Sequence, residues 1–326
     1  MAAAVAGVAA AAITHRAADS TLPLKLLANV PLPGPSNRFD YTSLDQTTGR
    51  LYIAHMNAGQ LLVFDTKTRL VVKTIAAPGV HGVIAVPSLH RVYASATDAR
   101  QLYTIDSRTG RVLNRAPAGE YPDGLVYDPA DRRVFVSDES GGIEAVFSAA
   151  GRRIGTVRLG GEAGNVQYDA GSGKVMADVQ SRNQVVVIDP RSNRVVRRLA
   201  LPDCDHPHGL NIDAPRRLAF VACDGNARLL TLDLKTMKIT GQMDVGKSPD
   251  VLAFDQSLKR LYVSAESGVV AVAAERGRTL TKLGQGRLAP DAHTVAVDSA
   301  THLVYFPLER GSGGQPELRI MTPTRR

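Results

Sequence analysis

The sequence predicts an all-β fold, one seven-bladed β-propeller with four-stranded blades. Three observations predict it: a repeat of about 42 residues, short bursts of β-branched residues between turn formers, and no sustained helical period. Aligned on an apolar–x–apolar–Asp phrase followed by a turn, a basic residue and an apolar run, seven copies stand out. Their second strands read RLYIAH from Arg50, RVYASA from Arg91, RVFVSD from Arg133, KVMADV from Lys174, RLAFVAC from Arg217, RLYVSAES from Arg260 and HLVYFP from His302. The strands before them end at Asp45, Val86, Asp128, Asp169, Asp213, Asp255 and Asp298. Five residues upstream of those ends stand Asp40, His81, Asp123, Gly164, His208, Asp250 and His293, separated by steps of 41, 42, 41, 44, 42 and 43 residues. Such a unit cannot bury both faces of its sheet alone, so the copies must stack around an axis.

Blade 1 predicts the pattern for the rest, with strands at Phe39–Leu44, Leu51–Ala54, Leu61–Phe64 and Leu70–Ile75. Asp65, Asp106, Asp189 and Asp233 end third strands before turns such as DTKTR and DSRTG, where a carboxylate accepts turn N–H groups, a structural role. The last blade lacks a fourth strand before the chain stops at Arg326, while Lys25–Val30 has strand composition and no blade of its own. Pairing that segment into blade 7 closes the ring and removes an exposed edge.

Length and charge bound the rest. The chain of 326 residues is 44% hydrophobic, enough for a large core, and contains no Trp. Residues 1–22 read as an Ala-rich leader or signal remnant and residues 23–326 as a single propeller domain. The stretch Ala2–Ile13 resembles the apolar part of a secretory signal and is too short to span a bilayer, so no membrane span is expected. Thirty-nine basic against 31 acidic residues give a net charge of +8. The densest basic cluster, Arg191, Arg194, Arg197 and Arg198, falls on a turn and an outermost strand, where it reads as a solvated edge rather than a nucleic-acid patch. A monomer is expected.

The phrases RLYVSAES, RVYASATD and RVFVSDES resemble the YVTN repeat of the YncE-like propellers, over about residues 25–326. The segment CDHPHGLNIDAPRRLAFVAC is similar to a blade of bacterial YncE-like proteins in which paired cysteines flank the first two strands. The resemblance implies an exported scaffold more than a particular reaction. Cys204 and Cys223, the only cysteines, belong at one mouth of the channel. An exported protein would join them in a disulfide; the rivals are free thiols, or a zinc site of Cys204, His206, His208 and Cys223.

First strands line a propeller's channel, so Asp40, His81, Asp123, Gly164, His208, Asp250 and His293 should form a ring at one mouth, with Asn165 beside the glycine. Three of only eight histidines fall in this ring. His81, His208 and His293 are the metal-ligand candidates for a divalent ion such as zinc, manganese, iron or copper. Asp40, Asp123, Asp250 and His206 are the catalytic candidates, as bases or as groups that orient the histidines. The plainer account is a ring that satisfies loop N–H groups and holds water. Glu120, Glu162 and Asp291, with His55, Glu139, Gln180, Glu266 and Glu309, should rim the same mouth, and the glycine-rich loop Arg310–Glu317 could act as a partial lid. No phosphate loop, HExxH or GxSxG motif is present, which argues against a nucleotide-dependent enzyme or an ordinary serine hydrolase.

These features point first to an extracytoplasmic, periplasmic or secreted, propeller that binds a metal ion or small polar ligand at the channel mouth. A metal-dependent lyase or hydrolase is the second possibility, and a protein- or polymer-binding scaffold the third.

Overall fold

A computed structural model describes residues 21–324; the apolar stretch Ala2–Ile13 lies outside them. Seven four-stranded antiparallel sheets are present, six of them built from four consecutive strands. Among the described residues, helix is confined to four short 3-10 turns. Leu22, on the leader side of the expected boundary, packs against the apolar contact between blades 6 and 7.

Burial follows strand position. Second and third strands such as Arg50–His55 and Gln60–Asp65 are buried on both faces, whereas fourth strands such as Lys238–Asp244 alternate between exposed and half-buried. The inner strands are sandwiched between neighbouring blades, so both of their faces must be apolar. Seven apolar clusters fill the seven blade contacts. Tyr52 and Leu61 of blade 1 pack with Val83 and Val92 of blade 2, and Phe39 and Ile53 of blade 1 pack with Tyr305 and Ile320 of blade 7. The ring is therefore closed by packing as well as by hydrogen bonds.

Leu24–Pro31 forms the outermost strand of blade 7, pairing antiparallel with Glu317–Pro323, as the orphan Lys25–Val30 segment predicts. Turn aspartates behave as expected: Asp65 Oδ1 accepts the N–H groups of Lys67 and Thr68 at 2.8 and 2.9 Å, and Asp106 Oδ1 does the same for Arg108 and Thr109. The basic residue opening a second strand pairs with that aspartate across the hairpin, as in Arg50 with Asp65 and Lys174 with Asp189. The arginine cluster lies on the exposed outer strand Arg194–Ala200, with Arg191 paired to Asp131.

One irregularity positions the site. In blades 2 to 6 the pairing of first with second strand shifts register between Val80 and Val83, Pro122 and Leu125, Ala163 and Val166, Pro207 and Gly209, and Pro249 and Leu252. Each shift contains a residue of the predicted ring. A β-bulge leaves its extra residue outside the ladder and re-aims the side chain. In blade 1 the regular strand starts only at Thr42, and Ala54 exchanges hydrogen bonds with both Asp40 and Tyr41.

Candidate functional site

The bulges aim the ring residues at one mouth, where a cavity of about 420 Å³ is lined by thirteen residues. Asp40, His81, Asp123, His208 and Asp250 from the ring are among them, with Glu139, Gln180, His206 and Glu266 from the predicted rim. Gly164 contributes no side chain. Its missing Cβ leaves room for Asp178 and Gln180, which pack into that space.

His81 lies between two carboxylates, its Nε2 at 3.2 Å from Asp40 Oδ2 and 3.3 Å from Asp123 Oδ1. Thr97 donates its hydroxyl hydrogen to the Pro122 carbonyl, so the 3.1 Å contact between Thr97 Oγ1 and His81 Nδ1 requires the ring to donate. With both nitrogens facing acceptors, the ring is an imidazolium. Burial opposes that charge, but Asp123 and Asp40 outweigh it and raise the pKa to about 9. Asp40 is held well below the usual carboxylate range: burial works against its charge, and His81 and His293 overcome it. Burial pushes Asp123 up, making it the weaker acid partner of the pair.

His208 repeats the device across the mouth. Its Nε2 stands 3.3 Å from Asp250 Oδ1, and its Nδ1 is 3.1 Å from Gln180 Oε1. Gln180 donates its amide hydrogen to the Ala163 carbonyl, which fixes Oε1 as the acceptor. Here too burial opposes the charge, and the neighbouring carboxylates of Asp250 and Asp123 outweigh it and raise the pKa to about 10. His293 differs. Its Nδ1 donates to the Asp291 carbonyl at 2.8 Å, while its Nε2 lies 3.7 Å from Asp40 Oδ2 and makes no hydrogen bond.

Arg38 was not legible as a site residue. It precedes the ring position by two residues, and its guanidinium enters the mouth to meet carboxylates of blades 1 and 6. Nε donates to Asp40 Oδ2 at 2.9 Å, Nη1 to Glu266 Oε1 at 3.0 Å, and Nη2 lies 3.8 Å from Asp250 Oδ2. Burial opposes its charge, and those three carboxylates outweigh it and hold it firmly protonated. A signal existed: the column two residues before the ring reads Arg38, Gly79, Tyr121, Glu162, His206, Ser248 and Asp291, and three of these line the cavity.

The next column carries a second signal. One residue after the ring stand Tyr41, Gly82, Gly124, Asn165, Gly209, Val251 and Thr294. A Cβ on Gly82 or Gly209 would collide with the carbonyl of Asp123 or Asp250, so glycine lets neighbouring first strands approach at the axis. Tyr41 and Asn165 instead reach across from blades 1 and 4, and the phenol donates to Asn165 Oδ1 at 2.8 Å. Beyond this contact lies a second cavity of about 290 Å³, lined by first-strand residues including Ser43, Gln167 and Asn211.

His206 lines the cavity but stands off at the rim, half-exposed, 3.7 Å from Glu162. Glu139 lines the cavity with its pKa raised to about 7 by burial and by Asp123. His55 is not a rim residue: it is fully buried, stacked on Phe39 at 4.0 Å, and Nε2 donates to the Pro35 carbonyl. The segment running from Leu32 to Arg38 covers it. The loop Arg310–Glu317 contributes nothing to the cavity; it is tied to the N-terminal segment by Ser36 to Gly314 and Leu32 to Pro316 hydrogen bonds. Cys204 and Cys223 form a disulfide, which removes both thiols from the four-ligand zinc alternative.

The donor types of the ring suit a divalent ion, yet among the described residues no three His, Cys, Asp or Glu side chains converge as a metal-holding group. Arg38 also places a fixed positive charge on Asp40, the carboxylate nearest two of the histidines. No helix among the described residues is long and apolar enough to cross a membrane.

No protein-family model matches the chain. A stretch of 104 residues is 29% identical to proteins described as uncharacterized protein YncE from Salmonella typhi and Salmonella typhimurium, covering 32% of this chain and 30% of each relative. The match thus spans under a third of the relatives' length. Among solved structures, the chain is similar to Kuenenia stuttgartiensis hydrazine synthase, with a TM-score of 0.73 at 13% identity over 85% of this chain and 93% of that one. At that identity the likeness is one of fold.

Proposed function

Because the chain is a YncE-like seven-bladed β-propeller, we propose that it works as a binding module, taking a small polar ligand into the cavity at the histidine-bearing mouth of its channel. One observation carries this reading. Asp123 is 1% exposed and lines an open cavity, yet neither of its carboxylate oxygens accepts a hydrogen bond. Buried carboxylates are normally satisfied, and an orphan acceptor facing a cavity is a place prepared for a donor. The disulfide supports an oxidising compartment, the periplasm or outside the cell. The test is a thermal-shift screen of small polar compounds against the full chain and Asp123→Asn. Stabilisation of the first and not the second is expected; a screen in which no compound stabilises either protein would count against the reading.

A divalent ion at the mouth is a second reading with its own support. All three ring histidines direct Nδ1 to an oxygen and turn Nε2 towards carboxylates, the orientation by which a histidine presents a metal-binding nitrogen. Elemental analysis of protein purified without added metal separates the two readings. Stoichiometric metal that disappears in His81→Ala supports the ion, and metal-free protein that still binds a polar compound supports the first reading.

A further inference from the structure

We infer that the ligand carries a cationic nitrogen, an ammonium or guanidinium group, and that Arg38 is the chain's own occupant of half of that cation site. This rests on the mouth being a ligand site at all.

The first support is charge. The chain as a whole is +8, yet the mouth cavity is lined by six carboxylates, Asp40, Asp123, Glu139, Asp224, Asp250 and Glu266. Against them stand Arg38, His81 and His208, with His206 at the rim. Even with every imidazole charged the lining stays acidic. The second support is the pattern of unmet hydrogen bonds. Asp123 accepts no hydrogen bond at either oxygen although His81 Nε2 is 3.3 Å from Oδ1, and Asp250 Oδ1, itself buried, accepts none although His208 Nε2 is 3.3 Å away. These three buried carboxylate oxygens lack donors, and a cationic nitrogen brings several at once.

The third support is that the site already holds a guanidinium. Arg38 enters from outside the sheet, donates hydrogen bonds to Asp40 and Glu266, and makes a longer ion pair with Asp250. Asp123, Glu139 and Asp224 form no ion pair with a lysine or arginine among the described residues. Tyr121 also lines the cavity and offers an aromatic ring, which attracts a cation to its face. An anionic ligand meets the opposite conditions. It would have to displace Glu266 from Arg38, with Asp40 and Asp250 close by.

Isothermal titration at low ionic strength with three matched four-carbon probes, putrescine, butanediol and succinate, tests this on the full chain. Putrescine should bind with unit stoichiometry and the other two should not. Asp123→Asn should weaken putrescine about tenfold or more, since a buried charge-assisted hydrogen bond is lost. Glu266→Gln, at an exposed position that leaves folding intact, should weaken it about threefold. In Arg38→Ala, ethylguanidinium should raise the melting temperature above that in equal sodium chloride, and by more than in the parent chain, where Arg38 fills half of the site. Succinate binding that vanishes in Arg38→Ala would make Arg38 an anion anchor and overturn the inference while leaving the ligand site standing. Butanediol binding as tightly as putrescine would do the same for charge. If none of the three binds, both the inference and the function beneath it fall.

Discussion

The two halves of the channel are built from the same seven first strands and share no chemistry. At the histidine-bearing mouth His81, Asp123, His208 and Asp250 come from bulges, and carboxylates, imidazoles and one guanidinium make up most of the lining. Beyond the Tyr41–Asn165 contact the side chains come from the regular part of the strands, and the lining is Ser43, Gln167, Asn211 and apolar residues, with no charged side chain. A residue in a regular ladder position has its direction set by the pleat and must suit the neighbouring blade. A residue in a bulge is released from that constraint, so charge can be placed there without disturbing the blade contacts.

Removing His81 should break this contrast most severely. His81→Ala leaves Asp40 and Asp123 facing each other without the imidazolium between them, and stripping one partner from a buried ion pair costs about 3–5 kcal/mol. Chemical denaturation at neutral pH would read that loss; a change below about 1 kcal/mol would mean that the mouth is more hydrated than its burial implies.

Raising the pH should erode the same half more gradually. His81 and His208 have folded pKa values near 9 and 10, above the ordinary 6.5, so their stabilisation is fully present below pH 6.5 and is lost as pH rises through those values. At about 1.4 kcal/mol per unit, His81 withdraws on the order of 3 kcal/mol by pH 9. The denaturation midpoint should fall between pH 6.5 and 10, with a smaller fall in His81→Ala. A flat profile over that range would show that neither imidazole is held charged.

Tyr41→Phe removes the hydrogen bond between the halves and leaves Asn165 Oδ1 without its donor, for about 1 kcal/mol with no new pH dependence. The smallest effect belongs to the neutral half. Asn211 donates one long hydrogen bond, 3.3 Å, to the Leu252 carbonyl, and Asn211→Ala should cost below about 1 kcal/mol at every pH. A pH-dependent loss there would mean that the halves are electrically coupled through the Tyr41 contact.

The fold was almost wholly legible in the sequence because each blade repeats the same burial problem about every 42 residues, and Lys25–Val30 betrayed itself by having no blade. The ring was legible for the same reason, since the alignment that defines the strands also defines their starts. Arg38 and Tyr41 were not. Each is the only one of its kind in its column, and a repeat draws the eye to what recurs. His55 was misplaced because its neighbours in the repeat end second strands at the mouth, whereas the segment before Phe39 has no counterpart in the other blades and covers it. Departures from a repeat hold information of two kinds, chemistry at the axis and shielding at the periphery, and only side-chain contacts tell them apart.

The outer strand of blade 7 carries a consequence for timing. Leu24–Pro31 is synthesised almost 300 residues before its partner Glu317–Pro323. At about 5–20 residues per second, the early strand waits about 15–60 s before its ladder can form. Through that interval Leu26 and Leu27, half-exposed even in the finished ring, sit on an unpaired edge guarded by Lys25 and Pro31. The circle is thus a clock as well as a shape: six blades can stack as they emerge, but the seventh completes only when Leu24–Pro31 meets Glu317–Pro323.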